Sequence, residues 1–307
     1  MGSSSAKPLL FAAGAVVLWG TSYAVTKSAY GAVPPMYVVW CRMIMAMVAF
    51  LIILPLARHV NGASPMVRYR KGDWKLLGLA MLCIPCLYYA FEGYAISFTS
   101  SSQAGVVTAV MPLIVAVTAW VVLREKPALR TVVAALVSVG GVALLSLSGQ
   151  HAADATNPML GNMLEMGAML AAAGSTLVVK KLSTRYSPLL LTGLQMVAGS
   201  VFFAPLALLS GPFHWAHTPG SAWASIAYLG VGCGLGAFAL YNSALRLMPA
   251  SRAALAVNVV PVVALITGWL ALNETLTWLQ LVACLVILGS VVVAQLWVPK
   301  RAQGDAE

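Results

Sequence analysis

The sequence predicts an all-α membrane protein of ten transmembrane helices, built as two inverted five-helix repeats around a central cavity. Three observations carry that prediction. First, 61% of the 307 residues are hydrophobic and only 8% are charged, against about 25% charged in soluble domains; mean hydropathy is +0.89. A soluble core of this size cannot hide so much apolar surface. Second, the chain repeats itself. Ala95, Ser102, Ala104, Pro112, Trp120, Glu125 and Gly140 recur without a gap as Ala244, Ser251, Ala253, Pro261, Trp269, Glu274 and Gly289. A weaker echo precedes each stretch, with Lys27, Pro35, Arg42-Met43 and Phe50 answered by Lys180, Pro188, Gln195-Met196 and Phe203. Third, the copies exchange their charges. Arg124, Lys126 and Arg130 become Asn273, Thr275 and Leu279, whereas Ser97 and Gln103 become Arg246 and Arg252. A membrane unit duplicated and flipped needs such an exchange, because cytoplasmic loops collect Lys and Arg.

Apolar stretches of about 20 residues suffice to cross a bilayer, and the chain divides into ten of them, near 8–29, 35–57, 74–97, 101–123, 129–148, 158–179, 188–210, 221–245, 252–272 and 276–298. The first comes after a weak basic start at Lys7 and is too long for a signal-peptide core, so it reads as an uncleaved anchor. The second carries Arg42 and the third Pro85, Tyr88 and Glu92. In the third, Cys83 and Cys86 have redox-motif spacing, but a motif in lipid-embedded helix reads as packing around a Pro85 kink. The fourth and ninth hold the repeat mates Pro112 and Pro261, each expected to kink its helix and free a carbonyl. Pro85, Pro112 and Pro261 serve either to shape a cavity or to hinge alternating access. Glu165 and Ser175 fall in the sixth span and Gln195 in the seventh. Gly230, Gly232, Gly234 and Gly236 lie inside the eighth, where small residues read as close helix packing and not as a nucleotide loop.

Five spans in each copy reverse the second copy, which makes residues 1–150 the first repeat and 151–307 the second, in one interlocked bundle. The polar run from Gly149 to Pro158 joins them outside. With both termini cytoplasmic, 16 of the 18 Lys and Arg lie inside, all but Lys27 and Arg42. The net charge of +10 is therefore spent on topology, and nucleic acid is not an expected partner. Trp74, Trp120, Trp215, Trp223, Trp269, Trp278 and Trp297 sit near span ends as an interfacial belt. Glu125 and Glu274 each precede a helix start and read as capping residues.

Ionisable side chains inside a membrane point to function. Arg42, Glu92 and Glu165 are the deep ones, while Lys27 lies closer to an end. Arg42 and Glu92 fall at similar depth and are placed to meet, either as a structural ion pair or as groups facing a wet cavity. Trp19 and Tyr23 share one face of the first span, Tyr88 and Glu92 one face of the third. With Tyr241 and the deep Asn258, these residues supply an aromatic body and polar tips. Packing and cavity lining both suit such residues. As a binding set they answer a zwitterion: Arg42 or a half-helix N-terminus for a carboxylate, a glutamate for an ammonium, aromatic faces for an apolar body. No histidine lies within a span, and neither a metal nor a cofactor site nor a hydrolytic nucleophile is expected.

Trp19-Gly20 in the first span, Arg42 in the second, and Ala250-Ser251-Arg252-Ala253-Ala254 leading to Pro261 and Glu274 resemble the EamA branch of the drug/metabolite transporter superfamily. The likeness covers nearly the whole chain and leans toward bacterial exporters of aromatic and other neutral amino acids (YddG-type). The first copy departs from the motif, reading Ser100-Ser101-Ser102-Gln103 where the second has Pro249-Ala250-Ser251-Arg252. The resemblance implies a multi-pass protein of the cell inner membrane and alternating access around a cavity lined by spans one, three, four, six, eight and nine. It implies export of amino acids or related small metabolites, not enzymatic turnover. It favours Trp19, Tyr23, Tyr88, Glu92 and Asn258 over Arg42 as cavity residues. An exporter of drug-like organic cations, with Glu92 and the aromatics as its site, is the alternative.

Overall fold

A computed structural model describes residues 3–61, 69–99, 104, 107–124, 129–148, 156–213, 215–272 and 277–296. The expected capping residues Glu125 and Glu274, most of the polar joint and Trp297 lie outside the described residues. Among the described residues the regular elements are helices, with no strand. In chain order they are α1 (Ser3–Tyr30), α2 (Pro35–Asn61), α3 (Asp73–Phe98), α4 (Met111–Leu123), α5 (Leu129–Ser148), α6 (Pro158–Leu182), α7 (Pro188–Leu209), α8 (Gly220–Leu247), α9 (Ala250–Ala271) and α10 (Trp278–Leu296). Seven of these, α1, α2, α3, α6, α7, α8 and α9, are long and apolar enough to cross a membrane.

Local chemistry sets the ends. Asn157 and Ser187 cap α6 and α7, their side-chain oxygens accepting from the Leu160 and Leu190 N–H groups at 3.2 and 3.3 Å, with Pro158 and Pro188 at the first helical position. At the start of α3, Asp73 pairs with Arg185 at 2.6 Å and accepts from the Tyr186 hydroxyl at 3.0 Å. The α6–α7 turn is thereby tied to α3. Trp74, Trp120, Trp269 and Trp278 are exposed, as an interfacial belt requires.

The interior is broken at related places. In α3 the turns widen over Leu82–Leu87, with Ile84 off helical geometry (φ −129°, ψ 123°) beside Pro85. In α8 they widen over Tyr228–Ala237. Gly230 lies in that stretch, where a Cβ would overlap the Arg42 carbonyl oxygen. Gly230 thus lets α2 approach, as small-residue packing in lipid predicts. Pro112 and Pro261 stand two residues beyond tightened turns, Thr108–Val110 and Val257–Val259, and not in the middle of regular helix. Each proline lacks an N–H that such a turn would have to satisfy. The closest packing runs between α3 and α6, α1 and α8, α1 and α9, α2 and α8, α4 and α6, α2 and α7, and α5 and α10.

Candidate functional site

A small cavity of about 50 Å³ lies between α1, α3, α4, α6, α7, α8 and α9. The break in α3 and the wide turns of α8 aim Tyr88 from one helix and Phe238, Tyr241 and Asn242 from the other into it. From α1 come Trp19 and Tyr23, one turn apart. Trp19 is the hub of an aromatic cluster, with ring centroids 4.9 Å from Phe238 and 5.1 Å from Tyr241. Polar groups dot this apolar wall. Gln195 donates to the Ile84 carbonyl at 3.1 Å and to Ser175 Oγ at 3.2 Å. Asn242 donates to Thr192 Oγ1 at 2.9 Å.

Six of the sequence-derived residues, Trp19, Tyr23, Tyr88, Ser175, Gln195 and Tyr241, meet on the cavity wall. Arg42 and Glu92 stand behind it. They meet each other, Arg42 Nη1 to Glu92 Oε2 at 3.8 Å, both almost fully buried. Arg42 also lies over the Tyr89 ring, 4.6 Å from its centroid. Glu92 accepts the Tyr88 hydroxyl at 2.6 Å, so a wall residue is held by the buried pair. Glu165 is likewise one bond behind the wall, accepting from the Tyr23 hydroxyl at 3.3 Å. Asn258 is 0% exposed in the tightened turn of α9, flanked by the wall residues Val257 and Val260. Pro85 is buried at the α3 break beside Ile84.

Sequence reading missed Thr108, Thr176 and Asn242 on the wall. Thr176 was within reach, since it is the repeat mate of Tyr23. Gln195 and Tyr241 are the mates of Arg42 and Glu92, so the second copy presents to the cavity what the first copy buries as an ion pair. Helix α7, absent from the expected lining, enters through Gln195, and α2 does not line it.

Several buried polar atoms here have no hydrogen-bond partner: Trp19 Nε1, Gln195 Oε1, Glu165 Oε2 and both amide atoms of Asn258. The Tyr241 hydroxyl lies beside Thr176 without a bond of standard geometry. Unsatisfied buried groups cost about 1–3 kcal/mol each. Of these, the Trp19 N–H and Gln195 Oε1 belong to wall residues, a donor and an acceptor suited to a ligand that offers both. No group of three or more His, Cys, Asp or Glu able to hold a metal occurs among the described residues.

The model of the EamA-like transporter family matches residues 6–147 and 159–295. The chain belongs to this family. Among curated relatives of this EamA-like transporter, the uncharacterized transporter YetK of Bacillus subtilis is 28% identical over 69% of the chain and 64% of its own length. A second from that organism, YcxC, is 28% identical over 74% of this chain and 75% of its own. The chain thus spans about two thirds to three quarters of these relatives. A probable terminal-alkyne amino-acid exporter of Streptantibioticus cattleyicolor is 24% identical over 67% and 68%. A solved crystal structure shares the fold with a TM-score of 0.75 at 20% identity, covering 95% of this chain and 98% of that one.

Proposed function

We propose that this membrane transporter exports neutral, chiefly aromatic, amino acids from the cytoplasm across the inner membrane by alternating access. The architecture we propose is ten spans in two inverted repeats, 1–150 and 151–307, with both termini inside. Helix packing supports the inversion: α3–α6 exchanges with α8–α1, α4–α6 with α9–α1, while α2–α7 and α5–α10 map onto themselves. The two stretches that match the family model support the same division.

The observation that carries the substrate reading is the cavity wall, where ring faces of Trp19, Phe238 and Tyr241 meet unpartnered polar atoms of both senses. The Trp19 N–H is a donor for a carboxylate. Gln195 Oε1, and Glu165 Oε2 behind the wall, are acceptors for an ammonium. An aromatic side chain packed against this cluster would gain about 0.5–1.5 kcal/mol per ring pair beyond burial. The name of the Streptantibioticus relative agrees in substrate class. One observation favours organic cations instead: Glu165 keeps an unpartnered oxygen while its other oxygen holds the hydroxyl of the wall residue Tyr23.

Counterflow into proteoliposomes, run with each of the twenty amino acids and with quaternary ammonium compounds, separates the two readings. Phenylalanine, tyrosine or tryptophan is expected to exchange fastest. Exchange of quaternary ammonium compounds alone would replace the amino-acid reading with the cation one.

A further inference from the structure

Lys27 and Lys180 are repeat mates, and the structure gives them the same task at opposite ends of the bundle. The Lys27 ammonium donates to the carbonyls of Ile96 and Thr99 at 3.4 and 3.3 Å. The Lys180 ammonium donates to the carbonyls of Leu245 and Met248 at 2.8 Å each. The acceptors are themselves repeat mates, each pair closing the C-terminus of its copy's third helix. Both helices leave in extended conformation, at Thr99 and Met248, and both final N–H groups bond four residues back, to Ala95 and Ala244. A cation belongs there, since the last carbonyls of a helix are unsatisfied and carry its negative dipole end.

The two ends are far apart. Helix α6 starts beside Thr99, with the Asn157 N–H on the Phe98 carbonyl at 3.1 Å. Lys180 is 23 residues further along, roughly 35 Å at 1.5 Å per residue. Each lysine also lies close to the cavity wall along its helix. Lys27 is one turn beyond the wall residue Tyr23 and lines a second hollow with Tyr30 and Ile96. Lys180 comes directly after the wall residue Val179, and its acceptor Leu245 is on the wall. The segments they hold, Tyr88–Phe98 and Phe238–Leu247, each come after a widened, irregular stretch, Leu82–Leu87 and Tyr228–Ala237. Widened helical turns recur at functional sites, and here each gives the pinned segment a pivot.

We infer that Lys27 and Lys180 are mirrored end-locks of the transport cycle: each pins the mobile half of its repeat's third helix, and release of one opens the cavity to one side of the membrane. This rests on the carrier function proposed for the chain but not on its substrate. The opposed placement of one contact in both copies also explains why each third helix carries a break.

One-sided labelling tests it. Ala172→Cys, on the cavity wall, serves as reporter in a chain whose five native cysteines are replaced. A membrane-impermeant thiol reagent is applied to right-side-out and to inverted vesicles without substrate. Lys27→Gln is expected to raise labelling on the order of tenfold from the Thr99 face only, and Lys180→Gln by a similar factor from the Met248 face only, the shift that losing a charge-assisted hydrogen bond produces. Lys27→Met and Lys180→Met, which keep the apolar stem, run in parallel. Labelling raised by both variants from the same face, or unchanged in both, overturns the inference. So does failure of all four variants to insert, which makes the lysines structural. One-sided labelling without amino-acid counterflow would remove the substrate reading and leave the locks standing.

Discussion

Trp19→Ala is expected to lower counterflow of aromatic amino acids by about tenfold or more while the protein still inserts and purifies. The indole touches both Phe238 and Tyr241, so its loss opens the aromatic cluster on one side and removes a buried N–H that has no partner within the protein. Two ring contacts at about 0.5–1.5 kcal/mol each, plus an unpaired donor, account for a factor of that size. Trp19→Phe separates the contributions, since it keeps a ring and removes the N–H; it is expected to fall between wild type and alanine. Initial rates normalised to reconstituted protein decide the matter. Wild-type rates from Trp19→Ala would return this residue to packing and move the site elsewhere.

Glu92→Gln is expected to have the other large effect, and on two observables. It leaves Arg42, 3% exposed, without its anion. Breaking a buried pair from one side costs about 3–5 kcal/mol, because the remaining charge is neither solvated nor paired. The melting temperature of the purified protein should drop markedly. Transport should fall as well, because the Tyr88 hydroxyl loses its charged acceptor and with it a fixed place on the wall. Arg42→Gln combined with Glu92→Gln removes the orphan charge, so melting should largely recover while transport stays impaired. Recovery of both would reduce the pair to a structural clamp between α2 and α3.

The helical class and the meeting of Arg42 with Glu92 were legible in the sequence, because lipid leaves so few ways to satisfy a charge. Depth counted in residues was enough to bring those two together. Which ring faces the cavity was less legible, since Tyr88 and Tyr89 are adjacent and only the first is on the wall. The widened turns over Leu82–Leu87 and Tyr228–Ala237 rotate the helical segments after them, and regular helical periodicity cannot anticipate such a rotation. Pro112 and Pro261 show the same limit: their repeat relation was plain, but their place just after a tightened turn depends on backbone that composition does not encode. The lysine contacts needed coordinates altogether, because the acceptors are main-chain carbonyls that any residue supplies.

The alternating access proposed for this chain requires the two copies to face opposite sides of the membrane. Arg124→Cys and Thr277→Cys stand beside the repeated glutamates, one in each copy, and report the sidedness directly when treated with an impermeant thiol reagent in intact cells and in inverted vesicles. The first is expected to react only from the cytoplasm and the second only from outside. Reaction of both from one face would contradict the inverted arrangement and the carrier built on it.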